Sequence, residues 1–186
     1  MKKFYITLIT HLTSSNIFTN SQFGFRKKLS IDKATYILIN DILSALNSKR
    51  FVGGIFDLEK AFDCVNHDIL LAKMEYYGIR GVMYTLIKYH LEGRYQCVKF
   101  NDKLSKWDKI NMGVPQGSVL GPLFFLIYIN DLPSVIPYTL SNKNSSIVLF
   151  TDDTSVIISE PCLMNFERKI NIVFQIMKEW FNSNFV

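Results

Sequence analysis

The sequence predicts an α+β fold: an antiparallel sheet with a hairpin at its centre, layered on helices. Three observations predict it. The runs 52–56, 147–150 and 154–158 are rich in β-branched and aromatic residues, and the last two stand so close together that they form a strand–turn–strand hairpin. Longer segments between and beyond them place apolar residues three and four apart, the spacing of helices with one buried face. Strands separated by helices, with a hairpin in the middle, make a sheet covered by helices. With 186 residues and a hydrophobic fraction of 48%, the chain suffices for one domain with a sizeable core.

Taken in order, Ser30 is an N-cap for a helix over 33–47, whose buried stripe is expected at Tyr36, Ile39, Leu43 and Leu46. Gly53 and Gly54 lead into the strand that ends at Phe56. A second helix covers 68–77 and stops at Gly78, a residue suited to the left-handed position just past a helix end. A third covers 84–91. Residues 96–100 and 109–112 form a strand pair joined by a polar turn, 101–107. Pro115 and Gly117 break the chain before a strongly apolar helix, 118–130, in which Pro122 is tolerable only near the first turn. The stretch 133–146, rich in Ser, Asn and Pro, reads as an exposed loop. A closing helix, 163–181, sets Leu163, Phe166, Ile170, Val173, Met177 and Trp180 on one face.

Charge and cysteine usage narrow the class. The net charge is +5, and the excess lies at the start: residues 1–50 hold eight Lys/Arg against two Asp. A second basic stretch runs from Arg80 through Lys88, Arg94, Lys99, Lys103 and Lys106 to Lys109, with only Glu92, Asp102 and Asp108 against it. Both stretches suit surfaces that hold a phosphate backbone, and both also suit a plain solvated face. Cys64, Cys97 and Cys162 show no ligand spacing and read as reduced intracellular thiols. The longest apolar run, 119–129, contains Gly121 and Pro122 and falls short of the ~20 residues a membrane span needs. The opening MKKFYITLITHL is too short in its apolar part, and too threonine-rich, for a secretory leader. An intracellular protein, in nucleus or cytoplasm, is expected.

Three blocks carry chemistry: FDLEKAFD at 56–63, GVPQGSVLGP at 113–122 and LFTDDTSVII at 149–158. Asp152 and Asp153 fall at the hairpin tip. Adjacent carboxylates raise each other's pKa, and a divalent cation is the usual remedy. Asp57 ends another apolar strand and becomes the third carboxylate if the two strands lie side by side. That is the outline of a two-metal phosphoryl-transfer site, in which two Mg²⁺ ions roughly 4 Å apart activate the attacking hydroxyl and stabilise the leaving oxygen. Asp63 fits a helix N-cap or a partner of Lys60 or His67, and His67 a helix-start residue.

QFGFRKKLS at 22–30, FDLEKAFDCVNHDILLAKM, PQGSVLGPLFFLIYINDLP and FTDDT together resemble the reverse transcriptase of non-LTR (LINE-type) retrotransposons, close to the jockey group, over nearly the whole chain. The resemblance implies a polymerase palm with partial fingers: 1–50 fingers-like, 51–186 palm, the thumb absent. It implies an RNA-directed DNA polymerase that transfers nucleotides from dNTPs to a primer 3′-OH, with an RNA template and a DNA primer as partners, no membrane, and two Mg²⁺ ions for which Mn²⁺ can substitute. Asp57 and Asp152 would bridge the metals, with Asp153 as accessory carboxylate. The backbone amides of Lys60 and Ala61 would face the triphosphate. Phe62 would stack under the deoxyribose and exclude a 2′-hydroxyl, unless it is a core phenylalanine. Gln116 would hydrogen-bond near the nascent base pair, Gly117 would let the backbone approach the template, and Arg26 would contact template or triphosphate, unless it belongs to a flexible basic loop.

The chain also departs from the family pattern. Thr151 stands where alanine is usual, and the family's flanking fingers and thumb segments are missing, so a fragment of a retrotransposon reading frame is expected. Three readings stay open at this level: a polymerase domain, a catalytically inactive remnant that only binds nucleic acid, and an unrelated α+β interaction module whose aspartates are surface turns.

Overall fold

In a computed structural model, residues 2–56, 61–115, 117–136 and 145–186 are described. The elements run α1 (Lys2–Ser14), α2 (Ile31–Asn47), β1 (Phe51–Phe56), α3 (His67–Tyr76), α4 (Gly81–Leu91), four two-residue strands β2 (Tyr95–Gln96), β3 (Lys99–Phe100), β4 (Lys103–Leu104) and β5 (Asp108–Lys109), then α5 (Gly121–Ile129), α6 (Leu132–Val135), β6 (Ser145–Phe150), β7 (Asp153–Glu160) and α7 (Leu163–Asn184). The expected mix of helices and antiparallel sheet is present.

The sheet has three strands in the order β1-β7-β6, all antiparallel. Its central strand is buried on both faces, and the alternation along it explains why. Val156 and Ile158 pack with Val173 and Met177 of α7. The opposite face carries Val148, which the register pairs with Ser155, and it packs with Ala34 of α2 and with Phe23. Helices therefore cover both sides of a narrow sheet, and the middle of β7, Val156 to Ile158, is apolar on both faces. In β1 the register slips between Gly53 and Ile55. Gly54 sits there at φ 114°, where an added Cβ would stand 2.5 Å from the Val156 carbonyl oxygen, so the glycine lets the bulged strand lie close on β7.

The main core lies among α1, α3, α4 and α5. In α5, Leu123 through Ile129 are all buried, and the sequence offers no polar face to turn outward. Pro122 sits in its first turn as expected, and the Ser118 hydroxyl accepts from the Gly121 N–H at 2.9 Å. Lys73 of α3 tethers this region: its ammonium donates to the Tyr128 carbonyl and to Asp131 Oδ1, each at 2.7 Å, and lies over the rings of Tyr128 and Trp180. Burial pushes the Lys73 pKa down, and Asp131 partly offsets this.

Several expectations are corrected. The helix after Ser30 forms, and the Ser30 hydroxyl accepts from the Lys33 N–H. Its expected buried stripe does not: Tyr36, Ile39, Leu43 and Leu46 are all exposed, and Ala34 and Ala45 are the buried positions. The face toward the sheet carries Ala34 and Ala45, with the half-buried Ile37, Leu38 and Ile42 between them. The opening residues, read only as a poor leader, form α1, which buries Leu8 and Leu12 in the main core. The 96–112 pair turns more tightly than expected, on Asn101 and Asp102, both with positive φ. Leu163 of α7 is exposed, while Val173, Met177 and Trp180 are buried as expected. Within 133–146, α6 takes the first residues and β6 the last, and 137–144 lie outside the described residues. Among the described residues no helix is long and apolar enough to cross a membrane, and Cys64, Cys97 and Cys162 are free.

Candidate active site

The β6–β7 hairpin closes on a two-residue loop, Thr151–Asp152, with Phe150 paired to Asp153. The paired aspartates thus sit at the tip, as the composition of the flanking strands required, with Asp152 part-buried and Asp153 exposed as the first residue of β7. The far end of β1 reaches the same place, since Phe56 pairs with Thr154. Asp57, next in sequence, lies outside the described residues, as do Lys60 and Gln116.

Thr151 has φ 58°, in the left-handed region. Two-residue hairpin loops need such a residue, and glycine or asparagine supplies it at less cost than a β-branched side chain. Its hydroxyl donates to Asp152 Oδ1 at 2.6 Å. That bond orients the carboxylate and occupies one of its lone-pair directions.

The turn is held from the side by the QFGF block. Gln22 forms a parallel bridge with Leu149, the Phe23 N–H donates to the Leu149 carbonyl, and the Leu149 N–H donates to the Ser21 carbonyl, both at 2.8 Å. The buried Gln22 side chain accepts through Oε1 from the N–H groups of Gly24, at 2.8 Å, and Thr151, at 3.2 Å. An added Cβ at Gly24 would stand 2.4 Å from the Thr151 nitrogen. Gln22 and Gly24 fasten the loop that carries the aspartates. Neither role is visible in the sequence, because a Gln and a Gly beside phenylalanines show no partner until the fold is known.

The other two blocks meet each other. The Val114 N–H donates to the Phe62 carbonyl at 2.9 Å, and the Gly113 N–H to the Val65 carbonyl at 2.8 Å. His67, buried at the start of α3, hydrogen-bonds through Nε2 to the Gly113 carbonyl at 2.8 Å. His67 was expected as a helix-start residue, which it is; its tie to the GVPQG loop was not foreseen. Asn66, not Asp63, caps α3.

Ala61 is buried. The half-buried Phe62 ring stacks on Phe125 of α5, with centroids 4.7 Å apart and planes 27° from parallel. Gly117 has φ 78°, and a Cβ there would meet nothing within 4 Å, so its surroundings are open. Arg26 Nη1 donates to the carbonyls of Thr19 and Gln22, and the guanidinium lies over the Phe18 ring. Burial lowers its pKa. In this arrangement it braces the loop ahead of the QFGF block.

Comparison with known proteins decides the family. A family model described as reverse transcriptase (RNA-dependent DNA polymerase) matches residues 1–183. The chain belongs to this reverse transcriptase family. Its similar proteins include the probable RNA-directed DNA polymerase from transposon BS of Drosophila melanogaster, 30% identical over 177 residues, covering 91% of this chain and 19% of that protein. The polymerase from the mobile element jockey of Drosophila funebris is 32% identical over 161 residues, covering 86% of this chain and 18% of that one. The resemblance to non-LTR retrotransposon enzymes is thereby borne out, and the chain spans about a fifth of the length of these relatives. Among solved structures, telomerase from Candida albicans in complex with a fragment of telomeric RNA superposes with a TM-score of 0.67 at 14% identity, over 92% of this chain and 32% of that one. Apo telomerase from Candida tropicalis gives 0.63 at 17% identity, over 94% and 36%. This reverse transcriptase chain therefore has the palm-type α+β fold of those enzymes.

Proposed function

We propose that the chain carries the catalytic palm of an RNA-directed DNA polymerase that extends a DNA primer on an RNA template by two-metal nucleotidyl transfer from dNTPs. Residues 1–50 would serve as a fingers-like part and 51–186 as the palm. The observation that carries the reading is the aspartate pair on a braced hairpin tip beside the end of β1. Carboxylate oxygens are the hard donors Mg²⁺ prefers, and a polymerase needs few of them because substrate phosphates complete the coordination. Among the described residues no group of three potential ligands gathers, while Asp152 and Asp153 supply two donors side by side. Asp57, Asp152 and Asp153 would hold the metals. Those ions would polarise the reacting phosphate and lower the pKa of the attacking hydroxyl. The chain's own share is positioning: the Gln22 bracket fixes the aspartates, and the bonds from the 113–114 backbone and His67 hold the FDLEKAFD block against the GVPQG loop.

Phe62 is the proposed sugar gate, with the Lys60 and Ala61 amides, Gln116, Gly117 and Arg26 as the other substrate contacts. One observation favours the inactive-remnant reading. Thr151 adds a strained β-branched residue and a hydroxyl bonded to a metal-ligand candidate.

A single experiment separates the two. Millimolar Mn²⁺ should raise the melting temperature of the wild-type chain, because a ligand that binds only the folded state shifts the equilibrium by mass action. Asp152→Asn should abolish the rise, and in a chimera that supplies the family's flanking fingers and thumb segments RNA-templated extension of a labelled DNA primer should depend on the same ion. A wild-type melting temperature indifferent to Mn²⁺, with no extension, leaves the remnant reading.

A further inference from the structure

Residues 95–109 form a two-stranded arm that the polymerase reading does not use. Tyr95 pairs with Lys109, Gln96 with Asp108, Lys99 with Leu104 and Phe100 with Lys103. Three of these four cross-strand pairs set a cation beside an aromatic or aliphatic side chain. The Ser105 N–H donates to the Val98 carbonyl, and the turn at Asn101 and Asp102 takes positive φ at both residues. The arm is thus a ribbon of two short ladders in succession with a tight end.

Its side chains are bare. Relative exposure is 59% at Tyr95, 68% at Val98, 74% at Phe100, 63% at Leu104 and 65% at Trp107. A ribbon of two strands that buries so little apolar surface is marginal in water, and exposed aromatics in such number mark a contact surface. The charge identifies the partner. From Arg94 to Lys109 there are five cations against Asp102 and Asp108. Lys99 reaches Asp102 at 3.3 Å, but both side chains are largely exposed, so that pair contributes little. A solvated face would not need the aromatics. A protein-binding patch would not carry such an excess of lysine, which is depleted at interface cores.

We infer that this arm binds single-stranded nucleic acid, its lysines following the phosphates and Tyr95, Phe100 and Trp107 offering rings for unpaired bases. Alternation of flat aromatic faces with cations is the chemistry that holds single strands with little sequence preference. A duplex hides the base faces these rings would stack on. The inference goes beyond the polymerase reading and needs neither the aspartates nor a metal.

The test uses the whole chain in EDTA with a labelled 20-nucleotide oligouridylate as probe. Saturating probe should quench tryptophan fluorescence, and the quench reports Trp107 because Trp180 is buried. The triple variant Tyr95→Ala, Phe100→Ala, Trp107→Ala should bind at least about 100-fold more weakly, since each stacked base contributes about 1–3 kcal/mol. Lys103→Gln with Lys109→Gln should reduce the slope of log affinity against log salt by about 1.4. Every substituted residue is exposed, so circular dichroism should show the same melting. Equal affinity of the triple variant for oligouridylate would overturn the inference. So would tighter binding of a matched duplex that the variant retains, or loss of self-association in sedimentation with probe binding unchanged, which would make the arm a protein interface. Because the metal reading is measured by Mn²⁺-dependent melting, the failure of one reading is distinguishable from the failure of the other.

Discussion

Two hairpins among the described residues differ in composition and in surroundings. The β6–β7 hairpin is long, joins a third strand, lies between helices on both faces and has its turn fastened by Gln22 and Gly24. The 95–109 arm has no third strand, and none of its side chains is buried. The first can hold a left-handed threonine because its surroundings over-determine the turn. The second takes asparagine and aspartate at its turn, residues that tolerate left-handed φ unaided. The braced turn lies where the carboxylates would converge on the proposed metals, and the exposed ribbon where an unpaired strand would be met.

Five substitutions would break or sharpen that contrast. The largest effect is expected at Gly24→Val, whose Cβ would collide with the backbone of Thr151. It should cost about 3 kcal/mol in urea unfolding, and an unchanged midpoint would mean the bracket is not rigid. Thr151→Gly should act in the other direction. Release from left-handed φ returns about 1–2 kcal/mol, the added freedom of glycine in the unfolded chain takes back about 0.5–1, and a net gain of about 1 kcal/mol should raise the melting temperature. A loss would show the turn to be unstrained. On the arm, Phe100→Ala or Trp107→Ala should leave stability within about 0.5 kcal/mol of wild type; a larger drop would reveal packing that the exposed ribbon lacks.

The smallest effect concerns pH at the arm's root. Burial, and secondarily the charge of Arg94, lower the His90 pKa below its ordinary 6.5. The unfolded chain then takes up this proton first as pH falls, so the contribution is present above about 6.5 and is lost on acidification below it. His90→Gln should therefore lose less stability than wild type between pH 7 and pH 5. Identical pH profiles of melting temperature would show that the ring is not held neutral.

Local chemistry made the active end legible. The strands flanking Asp152 and Asp153 have a composition that admits little else, Ser30 is a residue of capping type, and the order of the motif blocks pointed to the family. What stayed hidden depends on partners distant in sequence. In α2, two apolar faces compete, and spacing alone favours the one with large residues. The sheet selects the other, which buries Ala34 and Ala45 and half-buries Ile37, Leu38 and Ile42. By contrast α5, apolar on every side, offered no choice of face and was read correctly. The bracing by Gln22 and Gly24 and the tie made by His67 are equally hidden, since each acts on a backbone group of another segment: Thr151 for the first two, Gly113 for the third.

The outward stripe of α2 has a practical consequence. Tyr36, Ile39, Leu43 and Leu46 stand three and four residues apart along one bare helix flank, the kind of surface that takes up fluorescent hydrophobic dyes. Native protein should therefore light such a dye before any unfolding begins, so a dye-based melting curve would start high and conceal the transition. Intrinsic emission is the better probe, with Trp180 reporting the core and Trp107 the arm.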